Sequence, residues 1–201
     1  MVGKDVIKEI DRVIKETWTS NVYQDYNKNY IMNEDSLKCC LYYHLRRKLA
    51  SILADNHLRI YTEFHFPELN YRADMVIAEV DPHKDGCIRE GIENNQVAAI
   101  IELKFTSGAD ERTAEWIKHD LTKFKEYKQK ANIDCQYYFA VIYETECSRL
   151  NWMDKRRSNA WAAGCVTELN AGFVDEQIRF KVHPYNGLNM GVGDTDETTY
   201  F

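Results

Sequence analysis

The 201-residue sequence lacks the features that mark membrane-spanning, linker-rich and strongly basic proteins. No apolar run approaches the roughly 20 residues that a membrane-spanning helix needs. There are only three prolines, no Pro- or Ser-rich linker and no internal repeat, so we expect one domain over residues 1–201. Lysine and arginine number 26 against 32 aspartates and glutamates, which gives a net charge of −6. This balance argues against a histone-like, charge-driven nucleic-acid binder, but not against a nucleic-acid enzyme with a local basic face.

Several catalytic and metal-binding motifs are absent as well. The six cysteines form no C-x2-C pair, the six histidines form no H-x-x-x-H pair, and there is neither a G-x-S-x-G nor a phosphate-binding glycine loop. Adjacent Cys39 and Cys40 suit neither a shared zinc ion nor a common disulfide framework. The charged, amphipathic N-terminus does not resemble a signal peptide, so we expect a cytoplasmic protein with reduced thiols and no membrane partner.

The hydrophobic periodicity of the sequence predicts an alternation of helices and strands. The predicted elements, in chain order, are an amphipathic helix over 4–17, a loop over 19–33, a helix capped by Asn33, strands over 58–66, 72–80 and 97–105, a helix after Ser107–Gly108, a strand over 135–144, and shorter strands over 160–171 and 177–183. Residues 81–95 are expected to form a surface loop, and 186–201 a loose tail.

This order predicts an α/β protein with a central mixed β-sheet flanked by helices. Three consecutive strands favour an antiparallel meander, and the strand over 135–144, which follows the helix after Ser107–Gly108, joins by a crossover. We also expect the alternating residues from Leu58 to Phe66 in the first strand to share one face.

Charged residues at the end of the most apolar strand are the informative ones. Glu102 and Lys104 lie two residues apart in IIELKF and therefore project from the same face of that strand. If the preceding strand pairs antiparallel, Asp74 near its start approaches Glu102. Two carboxylates brought together repel each other, and a hard divalent cation relieves that repulsion. The alternative is a structural Glu–Lys ion pair at a strand end.

The chain resembles the PD-(D/E)xK nuclease superfamily, which has the restriction-endonuclease-like fold. The resemblance rests on Asp74, on the Glu102-Leu103-Lys104 tripeptide and on the helix–three strands–helix–strand order. The resemblance covers about residues 31–144. It implies that Asp74 and Glu102 hold a catalytic metal and that Lys104 orients or activates the attacking water. The proline of the motif is absent, since Ala73 precedes Asp74.

Four further residues are candidates for the same site. Glu34 opens the second helix on its inward stripe and is a candidate metal ligand, or alternatively a first-turn acid stabilised by the helix dipole. Asp120 and Lys123 are candidates for substrate binding, or alternatively a solvated i,i+3 pair. Arg72, two residues before Asp74, could contact a phosphate or lie on the surface as an ordinary arginine.

From these residues we expect a Mg²⁺-dependent nuclease, with Mn²⁺ as a substitute, that hydrolyses DNA phosphodiester bonds. The alternative is a catalytically inactive nucleic-acid- or protein-binding module of the same fold, and an RNA-cleaving enzyme is a third, weaker alternative. The negative net charge favours a structure-selective enzyme or one recruited by a protein partner, and the sequence leaves a homodimer open.

Overall fold

The structure is a computed structural model, and it describes residues 2–81, 92, 96–107, 111–146 and 157–185. Its elements, in chain order, are α1 (Lys4–Thr17), a π-helical segment (Trp18–Val22), α2 (Tyr23–Asn27), α3 (Glu34–Lys48), α4 (Ala50–Asp55), β1 (Leu58–Phe66), β2 (Tyr71–Glu79), β3 (Val97–Thr106), α5 (Glu111–Gln129), β4 (Gln136–Glu146), a 3-10 helix (Arg157–Ala162), β5 (Val166–Val174) and β6 (Gln177–Pro184). Most of the predicted 81–95 loop and the whole 186–201 tail lie outside the described residues.

The six strands form one mixed sheet in the order β1-β2-β3-β4-β5-β6. β1, β2 and β3 make the predicted antiparallel meander. β4 follows α5 and pairs parallel with β3, as a helical crossover requires. β5 pairs parallel with β4, and β6 pairs antiparallel with β5. The predicted α/β class, with a mixed sheet flanked by helices, is therefore confirmed.

The sheet is covered on both faces by helices. One cluster of buried side chains joins the sheet to α1 and α3, and a second joins it to α5. β3 is buried at every residue from Val97 to Leu103, which explains why its sequence is an almost continuous apolar run. Among the described residues, no helix combines the length and the apolar character that crossing a membrane requires.

A side-chain cap sets the start of α3. Asn33 accepts a hydrogen bond of 2.8 Å from the backbone N–H of Ser36, and the Ser36 hydroxyl accepts one from the Asn33 backbone. This reciprocal pair satisfies two backbone donors at the helix start. The buried stripe Leu37, Leu41 and Leu45 then holds the helix against the sheet, which places Glu34 in its first turn.

The expectation that the alternating residues of β1 share one face is wrong; these residues are Leu58, Ile60, Thr62, Phe64 and Phe66. Leu58 and Ile60 pack in the cluster with α1 and α3, whereas Phe66 packs in the cluster with α5. Glu63 lies between them with a φ of 52°, a left-handed backbone conformation that is uncommon for residues other than glycine. This single residue changes the face to which the later side chains point.

β2 changes faces at the matching position. Met75 packs with α1 and α3, but Ala73, two residues away, packs with α5. The strand pairs that flank the change are Thr62 with Met75 and Phe64 with Ala73. Glu63 therefore lies opposite Asp74, where both strands change faces.

The predicted loop over 19–33 is wrong in its first half. The chain continues from α1 through the π-helical segment into α2. Trp18 and Val22 are fully buried, and the Trp18 ring lies 5.1 Å from that of Phe180 in β6. Trp18 Nε1 also donates a hydrogen bond to the backbone of β5. The polar sequence of the π-helical segment and α2 shows no periodic spacing of apolar residues. Tertiary contacts therefore stabilise its helical conformation.

The first of the two C-terminal strands also begins later than predicted. Residues 160–162 of the predicted 160–171 strand belong to the 3-10 helix, and β5 runs from Val166 to Val174. The second long helix is likewise interrupted, because Leu49 separates α3 from α4 with a φ of −93° and a ψ of 8°.

Candidate active site

The adjoining ends of β2 and β3 bring Asp74 and Glu102 together. The antiparallel register pairs Met75 with Ile101, so the next step along the strands places Asp74 beside Glu102. Asp74 Oδ2 also accepts a hydrogen bond of 2.8 Å from the backbone N–H of Leu103. We call Asp74, Glu102, Lys104 and the charged residues in contact with them the β2–β3 site.

Glu102 is a buried acid with one oxygen that has no hydrogen-bond partner among the described residues. The residue is 1% exposed, and its Oε2 lies 2.9 Å from Lys123 Nζ while Oε1 is unpartnered. Burial raises the pKa of Glu102 well above its ordinary value; Lys123 opposes this shift, and the charges of Asp74 and Asp120 add to it. An open, buried carboxylate oxygen is costly unless a ligand binds it.

Lys104 links the two helical layers at the same end of the sheet. Its Nζ lies 3.2 Å from Asp120 Oδ2 on α5 and 3.5 Å from Glu34 Oε2 on α3. Burial lowers the pKa of Lys104, but the two acids outweigh that effect and leave the pKa above its ordinary value. The amine therefore carries a positive charge at neutral pH.

Asp120 and Lys123 face the sheet, so the alternative of a solvated pair is wrong. Asp120 is 4% exposed, and its Oδ1 lies 3.2 Å from Lys123 Nζ one helical turn away. Asp120 also contacts Lys104, and Lys123 also contacts Glu102. The pair of α5 residues thus holds the two charged residues of β3 in place.

Glu34 lies at the site, whereas its neighbour Asp35 is exposed. The Glu34 side chain is half-buried, and burial raises its pKa, with Lys104 opposing the shift and Asp74 adding to it. The stripe of Leu37 and Leu41 carries this residue inward. Its contact with Lys104 distinguishes it from an acid that interacts only with the helix dipole.

The sequence analysis did not identify two residues of the site, Lys38 and Glu63. Lys38 Nζ lies 3.2 Å from Asp74 Oδ1 and also bonds to the Glu63 carboxylate. Burial lowers the pKa of Lys38, but the bonds to Glu63 and Asp74 outweigh it and raise the pKa. The sequence position of Lys38 could have indicated its role, because it lies four residues after Glu34 and therefore on the same face of the helix. Nothing in the sequence marks Glu63 as left-handed.

Arg72 lies at the rim of the site. Its side chain is 63% exposed, and its guanidinium is 3.5 Å from Glu63. At this exposure the ion pair contributes little to stability. The guanidinium can therefore leave Glu63 and bind an incoming anion with little loss of free energy. This is consistent with the expected contact between Arg72 and a phosphate.

Tyr127 adds a buried phenol beside the acids. Its hydroxyl has no hydrogen-bond partner among the described residues. Burial raises its pKa, and the charges of Glu102, Asp120 and Asp74 act in the same direction. Its ring packs in the buried cluster between α5 and the sheet, and nothing in the sequence indicates the unpartnered hydroxyl.

The donor set fits a hard divalent cation. Carboxylate oxygens are the ligands that Mg²⁺ and Mn²⁺ prefer, and Glu102 Oε1 is open to one. Asp74 and Glu34 would complete the set of protein ligands. The carboxylates of the β2–β3 site, all among the described residues, do not bring three oxygens within 4.8 Å of one another. Lysine amines bridge them instead, so a cation would have to compete with those amines.

Comparison of the chain with protein-family models, with curated proteins and with solved structures found no match.

Proposed function

We propose that this protein is a metal-dependent nuclease that hydrolyses DNA phosphodiester bonds at the β2–β3 site, on a restriction-endonuclease-like fold. The observation that carries the proposal is the open, buried oxygen of Glu102 beside Asp74 and Lys104. Most buried side-chain polar atoms in proteins have a hydrogen-bond partner, so an unpartnered carboxylate oxygen in the interior calls for a functional explanation. The antiparallel meander supports the proposal because it places an acid from one strand beside the Glu-x-Lys pair of the next.

The metal would be held by Asp74, Glu102 and Glu34. When bound, Mg²⁺ or Mn²⁺ would stabilise the negative charge that develops on the phosphodiester during hydrolysis. Burial raises the pKa values of Glu34 and Glu102, and repulsion from the charge of Asp74 adds to both shifts. A cation would relieve that repulsion, but it would have to displace the lysine amines that pair with the three acids.

Lys104 would orient the attacking water and stabilise charge on the phosphate. Its pKa is raised, so the amine is protonated at neutral pH and donates hydrogen bonds. A protonated amine cannot act as the general base, which restricts Lys104 to positioning and electrostatic stabilisation. Asp120 fixes the amine from α5 at 3.2 Å and is a positioning residue.

The substrate would approach from the rim. Arg72 is exposed there and paired only weakly through Glu63, so it is suited to contact a backbone phosphate. Lys123 is largely buried between Glu102 and Asp120. We therefore assign Lys123 to holding Glu102 rather than to contact with DNA. The net charge of −6 favours recognition of particular DNA structures, or recruitment by a protein partner or a second copy, over tight general binding.

A direct test is cleavage of plasmid, single-stranded and branched DNA, with RNA in parallel, in Mg²⁺, Mn²⁺ or EDTA. The proposal predicts metal-dependent cleavage of DNA by the wild-type protein and none by Asp74→Asn. Asp35→Asn is the matched control, since this exposed acid lies one residue from Glu34 and outside the site. Cleavage in EDTA, or equal cleavage by the Asp74 variant, would contradict the proposal.

The second candidate is an inactive binding module of the same fold. The observation that favours it is the bridging of the site's carboxylates by Lys38, Lys104 and Lys123. DNA or protein binding without cleavage under every metal condition would support this alternative. Isothermal titration with Mg²⁺ separates the two, because a site saturated by lysines would bind no cation.

A further inference from the structure

A second group of metal-ligating side chains lies between α2 and α3. Asp25 comes from α2, and Cys40 and His44 come from α3. Asp25 Oδ2 accepts hydrogen bonds from Cys40 Sγ at 3.2 Å and pairs with His44 Nε2 at 2.8 Å. One ligand atom from each residue lies within 4.8 Å of the other two. We call these residues the α2–α3 cluster.

Helix geometry explains why the cluster forms. Cys40 and His44 are four residues apart, so they lie on the same face of α3 in successive turns. Both lie on the side of the helix away from Lys38, since Cys40 is about 200° around the axis from it. The cluster is therefore separate from the β2–β3 site, although one helix contributes to both.

We propose that the α2–α3 cluster is a binding site for a divalent transition-metal ion, with zinc as the preferred occupant. One thiolate, one imidazole and one carboxylate form a mixed S, N and O donor set, which favours zinc over magnesium or calcium. With Cys40 and Asp25 ionised and His44 neutral, the ligands carry two negative charges. These balance the charge of the cation.

The distances suit a tetrahedral ion. Zinc bonds of about 2.3 Å to sulfur and 2.0–2.2 Å to nitrogen and oxygen place the ligand atoms roughly 3.3–3.6 Å apart. The observed separations of 2.8 and 3.2 Å from Asp25 Oδ2 are slightly shorter, so a small outward movement admits the ion. All three residues are only partly buried, which leaves a fourth position for water or an external ligand.

The same geometry excludes a cysteine nucleophile. In a Cys–His catalytic pair the imidazole contacts the sulfur and lowers the thiol pKa. Here Asp25 lies between the two, and burial together with Asp25 raises the pKa of the Cys40 thiol. The thiol is therefore protonated and unreactive without a metal, and binding of the ion must displace its proton.

Bound metal would fasten α2 to α3. The five residues of α2 form the end of the continuous helical run that begins with α1, and the metal would secure that end of the run. The chain from α2 leads directly to Asn33 and Glu34, so a metal clamp would stabilise the segment that precedes the β2–β3 site. This gives a stability readout that does not depend on any nuclease activity.

The test uses the full-length protein, freed of metal by chelation and kept reduced, and titrated with Co²⁺ and then Zn²⁺. We expect a thiolate-to-cobalt charge-transfer band and tetrahedral visible bands at one equivalent, their displacement by Zn²⁺, and a higher melting temperature with Zn²⁺. Cys40→Ser should abolish the charge-transfer band, while Cys39→Ser should retain it. Cys39 is the matched control because it is the exposed neighbour on the same helix.

Asp25→Asn and His44→Gln should each weaken Co²⁺ binding at least about tenfold. X-ray absorption of the wild-type zinc protein should show one sulfur at about 2.3 Å among lighter ligands; this measurement remains decisive if a variant fails to fold. A band that persists in Cys40→Ser, a zinc site without sulfur, or no metal binding at all would overturn the proposal.

Discussion

The β2–β3 site and the α2–α3 cluster differ in the chemistry of their donors and in how the fold assembles them. The first joins oxygen acids and lysine amines from three strands and two helices at the end of a buried sheet. The second joins a thiol, an imidazole and one acid from two adjacent helices. Hard oxygen donors suit magnesium, and a mixed S, N and O set suits zinc. One chain thus presents two sites that different metals should distinguish.

The largest expected effect is the loss of cleavage on removal of an acid from the β2–β3 site. Asp74→Asn and Glu102→Gln each preserve shape while removing a charge that the proposed function assigns to metal binding. We expect DNA cleavage to fall to background and Mg²⁺ binding to weaken, as measured by plasmid nicking and calorimetry. The Co²⁺ spectrum assigned to the α2–α3 cluster should not change. If either variant altered that spectrum, the two sites would not be independent.

The next largest effect concerns Lys104. Lys104→Ala should reduce the cleavage rate by about 10²-fold or more, the usual result of losing a positioned catalytic group. Mg²⁺ affinity should not fall, because the proposal makes the amine no ligand and its removal frees Glu34 from an ion pair. Rate and affinity are measured on the same protein preparation. Full activity in this variant would show that Lys104 is only the partner of Asp120 and Glu34.

A smaller effect is expected for Glu34. Glu34→Gln removes one of three acids and should lower activity and raise the Mg²⁺ concentration needed for half-maximal cleavage, with little change in melting temperature. Asp35→Asn, one residue on and about 100° around the helix, should leave cleavage untouched. A Glu34 variant that melts earlier but cleaves normally would instead identify this acid as one that interacts with the helix dipole.

Sequence reasoning found the part of the β2–β3 site that depends on strand alternation and antiparallel pairing. Asp74 and Glu102 are 28 positions apart, yet their meeting follows from the order of the strands. The start of α3 was also predictable, because Asn33 is a side-chain cap that acts locally. These features depend on periodicity and short-range hydrogen bonds.

The features that were missed depend on tertiary contacts. Lys38 looks like a solvated helix residue until β1 supplies Glu63, and Glu63 adopts a left-handed backbone that its residue type does not favour. The α2–α3 cluster was missed because the segment before α3 was interpreted as a loop. Buried Trp18 and Val22 determine its helical path, and only that path brings Asp25 to Cys40.

The smallest expected effect is a change in the pH dependence of stability in Glu102→Gln. Burial raises the pKa of Glu102 well above its ordinary value, so the folded protein binds this proton more tightly than the unfolded chain. The resulting contribution of Glu102 to the free energy of unfolding is fully present below the pKa of glutamate in the unfolded chain, near 4.3. It is lost as the pH rises through the pKa of Glu102 in the folded protein. Glutamine stays neutral, so the variant should gain stability relative to wild type as the pH rises through that window.

Denaturant unfolding of both proteins at several pH values, without divalent metal, measures this difference. Comparing the two chains cancels the contributions of carboxyls whose pKa is lowered, such as Glu16 beside Lys48. Adding Mg²⁺ should stabilise the wild type more than the variant, which would reduce the difference at neutral pH. A variant that is less stable than wild type at neutral pH, by an amount independent of pH, would indicate that the ion pair with Lys123 outweighs burial and that Glu102 is structural.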